Sequence, residues 1–180
     1  RLMGIPTLIT TLTASGDSTL SDTSSMTSTY DEYMFVCTDL NPATDNQDFL
    51  FQVNVDGQSG YNETITSTGF FAYNAESGGT PALTYKADID QAQGTAFQGI
   101  ANNIGNGADE SAAGILHIFS PSNTTYVTHF YSRFQDYASN DYAEDMFVAG
   151  YINVTGAITD IQFKMASGNF DGVIQVYGIS

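Results

Sequence analysis

The chain has one cysteine, no tryptophan and two histidines, and only four lysines and arginines against 20 aspartates and glutamates in its 180 residues. Each scarcity removes a class of behaviour. A lone thiol cannot build an intrachain disulfide framework, and Cys37 ends the apolar run Tyr33-Met34-Phe35-Val36-Cys37, so it reads as a buried, inert thiol. A net charge of −16 with so few cations leaves little to contact phosphate, which argues against nucleic acid and anionic membranes as partners. Membrane insertion is not expected either, because no apolar run approaches the roughly 18 residues that a spanning helix needs. The start, Arg1-Leu2-Met3-Gly4-Ile5-Pro6, has a positive residue but lacks the apolar core and cleavage site of a signal peptide. The absence of an initiating methionine suggests residues upstream of Arg1.

Catalytic signatures are missing as well. There is no Gly-x-Ser-x-Gly elbow, no His-Glu-x-x-His metal motif and no Walker-type phosphate loop. His117 lies in an apolar segment and reads as a packed, hydrogen-bonded residue, while His129 reads as a surface or interface residue. The carboxylate pairs Asp88/Asp90 and Asp45/Asp48 would serve glycoside chemistry only if a cleft set them about 5–9 Å apart, and nothing in their spacing indicates convergence. The expectation is a non-enzymatic protein without catalytic residues.

What is present is alternation. Apolar residues make up 42% of the chain, with 11 Tyr and 12 Phe supplying the aromatic share, which places it among globular folds. In Asp48-Phe49-Leu50-Phe51-Gln52-Val53-Asn54-Val55, residues 49, 51, 53 and 55 share one side and the other turns polar, the pattern of a strand with one face on a core and one on water. Asp56-Gly57-Gln58-Ser59-Gly60 then signals a turn before a strand-like Tyr61 to Thr66. Further strands are predicted near 5–12, 18–26, 30–38, 69–73, 82–87, 113–120, 124–135, 145–153, 157–165 and 172–179. So many short strands favour an all-β, two-sheet, jelly-roll-like β-sandwich over an α/β fold. The length fits a single domain over 1–180, in which 1–12 is either an attachment segment or the first strand.

Between Asp88 and Gly105, Phe97, Ile100 and Ile104 have helical spacing, but Gly94 and Gly99 weaken a helix, and a strand near 96–103 is preferred. It is expected to turn over Asn106-Gly107-Ala108-Asp109 and return as 113–120. That returning segment has apolar or aromatic residues on both sides, which fits a central strand covered on both faces. In Tyr126 to Phe134, Thr128, Phe130, Ser132 and Phe134 take one side and Val127, His129, Tyr131 and Arg133 the other. The segments 157–165 and 172–179, separated by Ala166-Ser167-Gly168-Asn169, look like a closing hairpin whose last strand completes a sheet.

The segments Ser28-Thr29-Tyr30-Asp31-Glu32-Tyr33, Asn41-Pro42-Ala43-Thr44-Asp45, Phe119-Ser120-Pro121-Ser122, Ser167-Gly168-Asn169-Phe170 and Val176-Tyr177-Gly178-Ile179 resemble β-sandwich virion structural proteins of tailed bacteriophages, especially marine phages and cyanophages. The resemblance spans about residues 25–179. It implies a virion location and a component of capsid, tail or fibre that contacts other virion proteins.

Candidate sites follow from chemistry. Tyr126, His129, Tyr131 and Arg133 form a candidate interface for a homo-oligomer, because Tyr and Arg combine large contacts with hydrogen bonding. Tyr137, Asn140, Asp141 and Tyr142 form a candidate carbohydrate-binding loop for a host-surface glycan or receptor, with Tyr61 and Tyr73 as further aromatic candidates. No cofactor is required, but calcium has candidate oxygen ligands in Asp45 and Asp48 and in Asp141, Glu144 and Asp145, near turns. The Asn-x-Ser/Thr matches at Asn62, Asn123 and Asn153 read as turn and strand-edge chemistry.

Overall fold

Alternation dominates the structure as it dominates the sequence. A computed structural model of the chain describes residues 4–180. Among the described residues the strands are β1 (Thr7–Asp17), β2 (Leu20–Asp22), β3 (Glu32–Pro42), β4 (Gln47–Val55), β5 (Ile65–Ala75), β6 (Ala82–Tyr85), β7 (Ala92–Gly94), β8 (Gln98–Ile104), β9 (Ala112–Phe119), β10 (Thr128–Ala138), β11 (Tyr142–Ile152), β12 (Ile158–Met165) and β13 (Phe170–Ile179), with a 3-10 turn at Ala87–Ile89. Residues 7–12 of the proposed attachment segment lie in β1, and residues 1–3 lie outside the described residues.

Every pairing is antiparallel, and the strands enclose a common core in a near-barrel arrangement. A long half runs β1-β13-β3-β9-β10-β11-β5, with β6 and β7 beyond β5, and a short half runs β8-β4-β12-β2. The bridge Ala138–Ile104 joins β10 to β8 and so connects the halves. Between them lies an aromatic cluster centred on Phe49 of β4. Its ring centroid stands 5.7 Å from Phe163, 5.8 Å from Phe170 and 6.1 Å from Phe134, and Phe35 reaches Phe163 at 5.6 Å. Phe134, Phe170 and Phe35 come from the long half, so this cluster fastens one half to the other. Each ring contributes about 1.5–3 kcal/mol of burial. Cys37 packs in the same core, 1% exposed, and burial pushes its thiol pKa up.

The chain changes halves through short arches that stack side by side. The β3–β4, β8–β9 and β12–β13 connections are cross-linked: Asn41 Nδ2 donates to Glu110 O (2.7 Å), Asn106 N to Asp45 Oδ1 (3.3 Å), and Ala43 N to Asn169 O (2.8 Å). Gly168 takes φ 78° where Thr44 crowds it, a position that a side chain would strain.

These arches correct the expected hairpins. β12 pairs with β4 and β2 while β13 pairs with β1 and β3, so the C-terminal strands face each other across the core instead of pairing. Likewise β8 and β9 sit in different halves, although the preference for a strand over a helix there holds. β4 does not face water on its polar side: Gln52 is 0% and Asn54 3% exposed. The chain crossing that face uses their amides, with Gln52 Nε2 donating to Glu63 O (2.9 Å) and Ala96 O (3.1 Å), and Asn54 Oδ1 accepting Tyr61 N (2.7 Å). Residues 65–75 form one strand, extending the predicted 69–73 and leaving Tyr61 to Thr64 as that crossing, while 18–26 contracts to Leu20–Asp22 because Asp22 Oδ1 accepts the Ser24 and Ser25 amides and turns the chain. Residues 124–127 precede β10 as a turn in which Asn123 Oδ1 accepts the Thr125 and Tyr126 amides. β9 is central as expected, but its outer residues Ile115, His117 and Phe119 are only half-buried.

Phe49→Ala should destabilise the fold by about 3–5 kcal/mol in a denaturant titration, because it empties the cluster joining the halves. A chain truncated after Asp171 should lose its cooperative melt, since β1 and β3 would both lose their β13 partner; an unchanged melting curve would contradict the assigned order of strands.

Candidate binding surfaces

The outer face of the long half is unusual in carrying aromatic rows. Alternation along β10 buries Thr128, Phe130, Ser132, Phe134 and Asp136 and sends His129, Tyr131, Arg133 and Gln135 outward. The register extends these rows sideways: Met34, His117, Tyr131 and Ala149 align, and beside them Val36, Ile115, Arg133, Phe147, Phe70 and Tyr85. His117 stacks on Tyr131 at 4.5 Å and on Phe119 at 6.2 Å, and its Nδ1 shares a 2.5 Å hydrogen bond with Glu32 Oε1. The Arg133 guanidinium lies 4.9 Å from the Phe147 ring, which stacks on Phe70 at 5.0 Å. Asp145 accepts from Arg133 Nε at 3.0 Å and Nη2 at 2.8 Å, a bidentate pair that raises the Arg133 pKa. Between the His117–Tyr131 stack and this pair, small residues Ala113 and Gly114 leave a hollow of about 440 Å³.

A second hollow lies on the opposite, inner face, where β11 and β5 extend sideways past β8, the last strand of the short half. It measures about 300 Å³ and is lined by Phe71, Tyr73, Asn140, Tyr142 and Glu144. Beside it, Asp136 stands directly across from Glu144 in the β10–β11 register and is fully buried. Neither Asp136 oxygen has a hydrogen-bond partner of normal geometry, although the nearby Asn102 amide exerts a small stabilising pull on the charged form. Desolvation, then repulsion from Glu144, with smaller contributions from Asp48 and Asp145, pushes the Asp136 pKa up to about 8. Burial likewise raises Glu144, whose Oε2 accepts Asn102 Nδ2 at 3.1 Å.

The structure unites some of the predicted site residues and separates others. His129, Tyr131 and Arg133 share the outer face of β10, while Tyr126 stands before the strand, 71% exposed. Tyr137 and Tyr142 occupy opposite faces: Tyr137 pairs with Ala143 on the outer side and Tyr142 with Ala138 on the inner side, so they cannot grip one ligand between them. Tyr137 Oη reaches Asp141 Oδ1 at 3.5 Å, and its pKa rises to about 12, through desolvation first and then Glu76 and the neighbouring carboxylates Asp141 and Asp109. Tyr142 joins Tyr73 at 5.6 Å and Asn140 in the inner hollow.

The calcium candidates point to different tasks. Asp45 and Asp48 accept the amides of Asn106 and Asn103, and Asp145 holds Arg133 outside while Glu144 faces inward. Among the described residues no group of three or more His, Cys, Asp or Glu side chains is arranged to hold a metal ion. The sequence reading missed Asp136 and the part Glu144 plays in the inner hollow. The signal was available: continuing the Phe130, Phe134 alternation places Asp136 on the buried side, and counting back from Val148 and Met146 places Glu144 there.

An ordinary aspartate pKa of 3.8 raised to about 8 in the folded chain means that the unfolded chain ionises first as pH rises. Asp136 therefore costs stability progressively between about pH 4 and pH 8, by at most about 1.4 kcal/mol per pH unit. Asp136→Asn should flatten this slope, so the variant's melting temperature gains on the native protein as pH rises from 4 to 8. A difference that stays constant across that range would refute the assignment.

Against protein-family models, curated proteins and solved structures, the chain shows no match.

Proposed function

We propose that this chain is a non-enzymatic structural component of a tailed-phage virion, folded as a jelly-roll-like two-sheet sandwich and assembling through the outer face of its long half. The phage setting rests on the sequence resemblance. The single Ala138–Ile104 bridge between the halves and the arches that alternate between them support the sandwich reading.

The apolar character of the outer face carries the assembly reading. An exposed sheet face in a monomer is normally polar, yet here Phe70 is 44% and Tyr131 45% exposed, with Tyr85 and Leu83 more open still. The occupant we assign is a second copy of the chain, on grounds of charge. With a net charge of −16, two copies repel across most of their surfaces. On the exposed positions of β3, β9, β10, β11 and β5 the carboxylates and strong cations are Glu32, Asp39, Arg133 and Asp145; Arg133 pairs with Asp145, and Glu32 shares a hydrogen bond with His117. Around Tyr131 two such faces approach with few carboxylates between them, and the hollow beside Tyr131 can take an aromatic side chain from the other copy.

Light scattering over a concentration series should show self-association of the native chain. Phe70→Ser with Tyr131→Ser should shift it to monomer while leaving the melting temperature within a few degrees, because both side chains are exposed. A native chain that stays monomeric at every concentration would defeat intrinsic homo-oligomerisation.

A further inference from the structure

We propose that the inner hollow between β5 and the β10–β11 turn binds a neutral pyranose sugar. This site is separate from the assembly face and does not depend on it.

The alternation that sends Phe70 and Asp145 outward sends Phe71, Tyr73, Tyr142 and Glu144 inward. Because β5 and β11 extend beyond β8, these side chains are not sealed by the short half. Phe71 and Tyr73 lie 5.4 Å apart with their planes 29° from each other, and Tyr142 leans on Tyr73 at 58°, giving a bent aromatic wall. Half-buried rings of this kind offer π faces to the C–H groups of a sugar ring. The polar groups stand beside that wall: Glu144, only 4% exposed and held by Asn102, and the amide of Asn140 at the rim. Directly across from Glu144 lies the buried Asp136 carboxyl, beside the Asn102 amide. An apolar wall with a few fixed donors and acceptors is the composition of a small-ligand site, and about 300 Å³ accommodates a single sugar ring.

The rim is also fixed in advance. Ser139 N donates to Asn103 O at 2.9 Å, Asp141 N to Ala138 O at 3.0 Å, and Glu76 N to Asp141 O at 3.0 Å, so the turn carrying Asn140 is tied to β8 and to the end of β5. Little ordering remains to oppose binding. Glu144, Asp141 and Glu76 make the surroundings acidic, whereas Lys86, 5.5 Å from the Phe71 ring, is already paired with Asp88 at 2.7 Å. A uronate or sulfated sugar is therefore disfavoured, and a neutral one is selected.

The test is NMR titration of the full chain with glucose, galactose, mannose and N-acetylglucosamine, with glucuronate as the charged comparison, following the tyrosine ring signals. At least one neutral sugar should shift the Tyr73 and Tyr142 signals. Tyr142→Leu, which keeps bulk without a ring, and Glu144→Gln should each weaken binding by about tenfold, while Tyr137→Ala on the other face leaves it unchanged. The proposal fails if no neutral sugar perturbs these rings, if glucuronate binds in preference, or if Tyr137→Ala weakens binding as much as Tyr142→Leu. Light scattering on the same samples keeps the readings apart: the Tyr142→Leu oligomeric state should equal that of the native chain, and a loss of sugar binding together with assembly would overturn a separate site.

Discussion

The contact of Phe49 with rings from the other half is the constraint from which the rest of the structure follows. Few backbone contacts join the halves, among them the Ala138–Ile104 bridge and the bond from Ile158 N to Pro121 O, so side-chain burial carries much of the work of holding them at packing distance. That requirement fixes the arches, because each crossing must carry the chain from a strand on one side of Phe49 to a strand on the other. It also fixes where cover ends. The short half stops at β8, and the long half continues through β11 to β5, so the inner face of those last strands is left partly open beside a fully packed core.

An acid-rich chain with few cations has to place its carboxylates without many ion pairs, and here they take backbone amides. Asp22, Asp45, Asp48, Asp171 and Glu110 accept N–H groups of Ser25, Asn106, Asn103, Gly16 and Gly107 respectively. Apart from Asp22, these acceptors sit at the stacked arches, where the chain leaves a strand and its amides lose their ladder partners. A hydrogen bond to a charged group contributes about 1.5–3 kcal/mol, so the acidic loops help to hold the arches in register. Asp45 and Asp48, calcium candidates in the sequence, are among these amide acceptors.

Strand faces were legible in the sequence to a degree that strand partners were not. A period of two decides which side of β10 is buried, and it placed His129, Tyr131 and Arg133 outward and Phe130 and Phe134 inward without any knowledge of neighbours. Pairing is a different question, because a short polar turn such as Ala166–Asn169 serves equally well to reverse a chain within one sheet or to arch it across a core. Nothing local in Gly168 distinguishes the two, and the deciding contacts, Ala43 N to Asn169 O and Thr44 against Gly168, come from far along the chain. The same long-range cause hid the burial of Gln52 and Asn54, which are polar, placed opposite the core side of β4, and covered by a crossing chain whose backbone they satisfy. Tyr137 and Tyr142 were separable by alternation alone: the odd-numbered residues face outward on both β10 and β11, so the two tyrosines fall on opposite faces of the sheet.

β5 and β11 therefore present two chemistries from consecutive residues. Phe70 and Phe147 stack outside, while Phe71, Tyr73 and Tyr142 line the hollow inside, and Asp145 and Glu144 divide in the same way. Because a sheet separates the faces, covering the outer one with another copy leaves the inner hollow open to solvent. Its walls would become stiffer, since the strands that supply them would be clamped from behind. In the proposed assembly, a copy held by its neighbours would still present the inner hollow, because alternation along a strand separates the two faces without a dedicated loop or a second domain.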